Sequence, residues 1–592
     1  MSWEILPVEL RHMILENVLE WSAGINSGLA RGLASYAMVC AEWQHYFERV
    51  SFGQLIVTDE DLERFQQIVA RRHLQRPVCQ IRPYYVWLRV VLLRYRNYPH
   101  QHETPDCLDC IEPENDEEVA DNDVIFTEAL WILLETLALM GVDHSNNGEG
   151  GRQYRLELEL SVHSPSDCHH YFKWYHLQDD YPHLAPALTQ SEYVYGWCAA
   201  RPVPLDDPGH GYGPDRPVWV ENQLRASGAD ADRRCRIAQR LVRPMKLNFQ
   251  ELYSKGEQDA KQELRVPDAS IVTTLTIRRQ YFRDISTPCL GKLLESLPSL
   301  KFLRRENWRI IRAEDRSIDD RRYSLPLSGG KKRKKSLSEA DYLLTQLPRH
   351  LEVLCLFEDF EVQLHGREDA ISPRSSGIQF LPSLAVSTPA LRELAVGFLT
   401  EAIDCFGLRD YYLDPGGIPD HATYRFKQLE LVVLTSQDDL HHCHWQTSWE
   451  RPNALLRAAA AVALKMPKLK VMELWSWSRD SDIDAPTKTG CIFRYDTAPT
   501  HTARQCWITW ESNWPTTFVF EKSVIAAWQK VAETNVPAFL GKIRRGTRKL
   551  PGFHLTYGDV VRRLKLRFLH PTSEMQVLAD SYPGPERLLW SR

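Results

Sequence analysis

Six short apolar phrases set the tightest limit on how this chain can fold. They are Val272 to Ile277, Leu300 to Leu303, Leu351 to Leu356, Leu391 to Val396, Leu429 to Leu434 and Leu469 to Leu474. The last five open on leucines at 300, 351, 391, 429 and 469, with gaps of 51, 40, 38 and 40 residues. Pro298, Pro389 and Pro467 stand two residues before the opening leucine, and Pro348 stands three before. Helical runs precede several phrases: Leu290 to Leu297, Ala340 to Leu347 and Leu455 to Met466. An apolar residue at every second position puts one strand face against something that excludes water.

Helix, proline-marked turn and L-x-x-L-x-L strand, repeated, make the unit of a leucine-rich-repeat solenoid. Its leucines point inward and its helices cover them. The period is longer than usual and no asparagine recurs, so the repeat is irregular. A single open α/β sheet with coincidental spacing is the alternative. Upstream, Gln54 to Val57, Tyr85 to Tyr95 and Arg155 to Val162 read as strands, the last half-exposed by its clean alternation. Leu62, Phe65, Ile68 and Val69 read as a helix between the first two, and Val124 to Met140 as a buried helix. The prolines and acids of 97–123 read as a surface loop, and 200–235 as an irregular insertion. Downstream, Cys506 to Trp510 and Thr517 to Phe520 read as strands, and Ser523 as the cap of a helix. Lys542, Arg544, Arg545, Arg548 and Lys549 read as a basic loop, with Arg562, Arg563, Lys565 and Arg567 close behind. The parts are residues 1–50, an α/β region over 51–199, the insertion, a repeat region over 236–500 and a closing cap over 501–592.

The first fifty residues carry a different pattern. Pro7 suits a helix start, and Glu9 suits its dipole. Leu10, Met13, Ile14, Val18 and Leu19 follow at helical spacing. The small residues Ser22 to Gly28 predict a break. Tyr36, Val39, Cys40, Trp43 and Phe47 predict a second helix. Two such helices cannot bury both faces alone. "LPVELRHMILENVL" and "YAMVCAEWQHYFE" together resemble an F-box, although the inter-helix segment is longer than the compact acidic turn of many members. The resemblance implies docking on a Skp-family adaptor, and through it a cullin–RING ubiquitin ligase. It implies that Leu6, Pro7, Leu10, Ile14, Leu15, Leu19, Val39, Cys40 and Trp43 face that adaptor. The span from Leu293 to Phe520, with "LPRHLEVLCLFEDF" and "LLRAAAAVALKMPKLKVMELWSW", is similar to the C-terminal region of a group of filamentous-fungal F-box proteins. That region has no assigned function and brings no catalytic residues. The expected fold is therefore α/β: F-box helices, an irregular leucine-rich-repeat-like solenoid and a C-terminal cap.

Chemical motifs are sparse. A net charge of -6 gives no global field for nucleic acid or anionic membrane. No apolar run reaches the length of a membrane span, and the N-terminus shows no secretory signal. These features point to the cytoplasm or nucleus, with the thirteen cysteines as buried thiols. Cys107 and Cys110 form a lone CxxC without a second pair, and the His-bearing runs near 168 and 441 do not complete a zinc set, so no metal or other cofactor is expected. Gly209 to Gly213 has the wrong spacing for a phosphate cradle. Lys331, Lys332, Arg333, Lys334 and Lys335 read as a nuclear import signal, a phosphate-facing patch or a solvated loop. No P-loop, nucleophile elbow or HExxH is present. The expectation is a non-catalytic substrate receptor that binds an adaptor at one end and a protein substrate on its repeats. A repeat scaffold outside any ligase, or an enzyme with a hidden C-terminal site, are the competing readings.

Overall fold

In a computed structural model of the chain, the described residues are 3–25, 35–74, 83–93, 114–142, 155–164, 242–247, 266–279, 283–309, 339–360, 380–411, 424–440, 449–479, 488–499, 504–514, 517–537 and 541–550, with shorter pieces between 240 and 577. The run 331–335, the CxxC, both His-bearing runs, Gly209 to Gly213 and the insertion 200–235 lie outside them.

Among the described residues twelve strands form one open mixed α/β sheet in strictly sequential order. They are β1 (Gln54–Thr58), β2 (Tyr85–Val91), β3 (Leu156–His163), β4 (Val272–Ile277), β5 (Phe302–Trp308), β6 (Val353–Asp359), β7 (Glu393–Gly397), β8 (Leu431–Thr435), β9 (Val471–Arg479), β10 (Lys488–Pro499), β11 (Arg504–Ser512) and β12 (Arg544–Lys549). All neighbours pair in parallel except β9–β10 and β10–β11, so β10 alone runs against the rest. The sheet runs unbroken through the spans 51–199, 236–500 and 501–592.

One register row explains why the leucine phrases exist. Val86, Leu158, Leu275, Leu303, Leu354, Leu394, Val432 and Met472 stand side by side across β2 to β9. All are buried on the helix side, in one continuous core. The turn before each strand repeats as well. The N–H groups of Leu300, Leu351, Leu391 and Leu469 each donate to the carbonyl three residues back, at 3.0–3.2 Å. The residues just after these leucines extend the ladder, and on the surface they form an alternating column. Lys301 pairs with Glu352 at 2.9 Å, and Glu430 pairs with both Arg392 and Lys470. Such exposed pairs add little stability, but they disfavour a slipped register.

The helices that follow in chain order are α1 (Val8–Ile25), α2 (Ala41–Ser51), α3 (Leu62–Leu74), α4 (Asp116–Val142), α5 (Thr287–Glu295), α6 (Glu339–Gln346), α7 (Phe380–Ser387), α8 (Ala402–Phe406), α9 (Gln437–Leu440), α10 (Glu450–Ala463), α11 (Lys522–Asn535) and α12 (Tyr557–Arg563). From α3 to α11 they contribute to the core on the same face of the sheet.

α12 is the exception, and it changes the reading of the C-terminus. Leu555, Val560, Val561, Leu564, Phe568 and Leu569 pack on the opposite face, against Phe357, Phe398, Val433, Trp475 and Ile492. The ring centroids of Phe357 and Phe568 are 5.5 Å apart. Gly397 fits because a Cβ there would come within 2.6 Å of the Phe357 ring. The Phe568 carbonyl accepts from Arg304 at 3.2 Å, and His570 donates its N–H to Glu306. The C-terminal segment thus returns across β5 to β10, and is more than an end cap.

Several local expectations need correction. Asp116, Glu117 and Glu118 open α4 instead of extending a loop: Asn115 and Glu118 cap each other's N–H groups at 2.9 and 3.1 Å. Arg240, Arg243 and Arg283 then neutralise the buried acids Glu118, Asp123 and Glu114. β3 is buried on both faces, since Glu159 and Ser161 find partners on β2 and beyond. Thr517 to Phe520 is not a strand; Phe518 instead stacks on Trp510 at 4.0 Å between centroids. Glu521, not Ser523, is the N-cap of α11. The basic residues from Arg544 to Lys549 form the edge strand β12, not a loop.

Candidate partner-docking site

α1 continues through Ser22 to Ile25, into the expected break, and Pro7 sits at its N-cap, where its carbonyl accepts from Arg11 at 3.1 Å. The second helix is shorter than expected: Cys40 is its N-cap, and Tyr36, Val39 and Cys40 precede it. The two helices meet in a small core. Leu15 and Phe47 are buried at its centre, with Trp3, Val18, Leu19, Tyr36 and Trp43 packed around them. Trp3 and Trp43 meet edge to face at 5.4 Å. Glu42 holds the pair together, accepting from Trp3 Nε1 at 2.7 Å and from Arg11 at 2.9 Å.

The expected docking residues therefore divide. Leu15 is fully buried and offers no surface to a partner, which corrects that expectation. Its position follows from helical spacing, since 11, 15, 18 and 19 share the face turned to α2. Leu19 and Trp43 are spent largely on the same small core. Leu6 is half-buried, while Pro7 and Cys40 are exposed. Leu10 (46 % exposed), Ile14 (38 %) and Val39 (59 %) face outward. Ile5, Val8, Met13 and Met38, beyond the motif-derived set, are exposed as well. Large apolar residues gathered outside the core mark contact surfaces on soluble chains.

A second cluster lies on the sheet face away from the helices, over β2 to β4. Tyr85 donates to Glu159 at 2.6 Å, Arg278 Nε donates to the other Glu159 oxygen at 2.5 Å, and Trp87 Nε1 donates to Ser161 at 2.8 Å. The Arg278 guanidinium lies 4.8 Å over the Trp87 ring. Burial pushes the Glu159 carboxyl up, opposed by Arg278. Burial, then Glu159 itself, raises the Tyr85 phenol far from ionisation. These bonds tie β2, β3 and the end of β4 together, a structural role.

A third feature sits at the C-terminal ends of β7 and β8, where open α/β sheets commonly hold ligands. Glu401 accepts from the N–H groups of Gln437 and Asp438 at 2.9 and 3.3 Å. Burial, reinforced by Asp438, pushes its carboxyl up to about 8. Among the described residues the Thr400 hydroxyl and the Gln437 side-chain amide are buried without a hydrogen-bond partner. A small cavity lined by Arg305, Asn307, Glu358 and Leu399 lies along the same edge. Among the described residues no group of three or more His, Cys, Asp or Glu side chains could hold a metal ion. Cys289, Cys355, Cys405, Cys491 and Cys506 are buried, and burial pushes the Cys355 thiol up to about 11. No described helix is long and apolar enough to cross a membrane.

Residues 346–569 match the model of a family of unknown function, DUF6546. The match opens at the last residue of α6 and ends at Leu569, so it spans β6 to β12 together with the segment that returns over them. No curated protein matches the chain.

Proposed function

We propose that this chain is a non-catalytic substrate receptor of a Skp–cullin–F-box type ubiquitin ligase. The exposed face of Leu10, Met13 and Ile14 on α1 carries this reading, with Val8, Met38 and Val39 also exposed. It belongs to a segment whose sequence resembles the F-box, and a Skp-family adaptor is the partner that resemblance implies. Full burial of a large apolar side chain is worth about 1.5–3 kcal/mol. Several such anchors offset an association cost of roughly 4–15 kcal/mol. The sheet is read as an irregular leucine-rich-repeat-like solenoid, supported by its sequential strands, its repeated turn and its helices on one face. It would hold a protein substrate near a ubiquitin-charged enzyme, so that rate comes from proximity.

The test is a pull-down with a purified Skp-family adaptor. Leu10→Asp with Met13→Asp alters exposed side chains only. Wild type should retain the adaptor, and the double variant should lose it by roughly a hundredfold. Trp43 is unsuitable for this purpose because its ring belongs to the chain's own small core. Failure of the wild type to bind, or full retention by the variant, leaves the alternative of a repeat scaffold outside any ligase.

A further inference from the structure

β12 closes the sheet at the end opposite the N-terminal helices. It reads Arg-Arg-Gly-Thr-Arg-Lys, five of its six residues are exposed, and among the described residues it pairs on one side only. The N–H of Leu550 donates to Ser512 on β11 at 2.8 Å. Backbone groups alternate along a strand, so the N–H and C=O of Arg545, Thr547 and Lys549 point to the open side. The last turn of α12 adds Arg562 and Arg563, both exposed. Arg494 on β10 donates to the Arg563 carbonyl at 2.7 Å. Arg494 is in register with Thr509, and Thr509 with Gly546. The end of α12 therefore lies over β9 and β10, on the sheet face that carries Arg544 and Arg548 and two strands in from the edge.

No carboxylate is within ion-pair distance of Arg544, Arg545, Arg548, Lys549, Arg562 or Arg563 among the described residues. Arg544 instead lies 5.1 Å over the Trp507 ring. Glu511, in register with Arg548, is engaged by Arg494 at 3.3 Å. One or two lysines suffice to keep an edge from pairing with stray strands. Six cations without a counter-charge, on a chain whose net charge is -6, repel one another and favour an acidic occupant. We propose that this edge binds an acidic, extended peptide segment of a partner protein by strand addition. The peptide backbone pairs with Arg545, Thr547 and Lys549. Its carboxylates on one face meet Arg544, Arg548 and the arginines of α12, and on the other face Arg545 and Lys549. The same charges that admit this segment exclude apolar strands.

The experiment uses the purified full chain and a fluorescein-labelled dodecamer of Asp and Glu with interspersed Val, read by anisotropy at low and physiological salt. Saturable binding is expected, weakened roughly tenfold or more by Arg545→Glu with Arg548→Glu. The same peptide with alternate backbone amides N-methylated keeps its charge and should lose binding to a similar extent. Should the charge reversal disturb folding, Arg545→Gln with Arg548→Gln takes its place, with unchanged near-UV circular dichroism as the control. Three results would overturn the proposal: no saturable binding to wild type, undiminished binding of the N-methylated peptide, or tighter binding of an oligothymidylate lost in the same variant. The adaptor pull-down reads the opposite end of the sheet, so either outcome leaves that test independent.

Discussion

On the sheet face away from the helices, β2 to β4 carry Tyr85, Trp87, Glu159, Ser161 and Arg278, joined by hydrogen bonds and one buried ion pair. On the same face, β6 to β10 carry Phe357, Val433, Trp475 and Ile492, covered by the returning C-terminal segment. The helix-side row is equally apolar in both halves. The second face is where they differ. Both faces are buried, but the first is tied together by hydrogen bonds among its own strands, whereas the second depends on apolar side chains brought by the returning segment. The C-terminal return is thus a second core of the fold, and the substrate surface of a receptor would have to lie elsewhere on this half.

Three experiments break or sharpen this contrast, in descending order of effect. A chain ending at Lys549 would leave Phe357, Phe398 and Trp475 bare. Hydrogen exchange should show protection lost across β6 to β10 and kept in β2 to β4, with strong dye binding by the exposed face. Equal protection in both halves would make the return a mere appendage. Next, Glu159→Ala leaves Arg278 without its carboxylate and should cost about 3–5 kcal/mol in chemical denaturation. Glu159→Leu with Arg278→Met should recover most of that, because replacing both charges removes the desolvation cost. The last experiment reads a slope, smallest per step, at Glu401, whose carboxyl is raised from 4.5 to about 8. Between those values the folded chain holds a proton that the unfolded chain releases. Its contribution therefore makes stability fall as pH rises through that window, by up to about 1.4 kcal/mol per pH unit. Glu401→Gln should flatten that slope in a series of melts across pH, and an unchanged slope would place the titrating group elsewhere.

The strands and their helix-side row were legible because they rest on local spacing: a leucine at every second position and a proline before the turn. The return was harder, since it joins residues 264 apart in sequence. Two cues existed nonetheless. Val560, Val561, Leu564 and Phe568 recur at helical steps amid the basic residues. The unbroken apolar runs of β6 and β8 differ from the alternation in β3, and a continuous run marks a strand covered on both faces. The acidic stretch misled because the arginine partners of Glu114 and Glu118 lie more than a hundred residues away. At the N-terminus the apolar spacing anticipated two helices, though not their bounds or their rotation. Only the contact with Phe47 shows that Leu15 turns inward while Leu10 and Ile14 do not.

The link between Glu306 and His570, 264 residues apart, also sets a timetable for synthesis. At roughly 5–20 residues per second, a ribosome takes about a quarter of a minute to nearly a minute to cover that distance. Throughout that interval the strands already made would carry a greasy flank awaiting its cover. A nascent chain of this design is most vulnerable to clumping until residues 555–569 have emerged, and it is then that a holding chaperone would help it most.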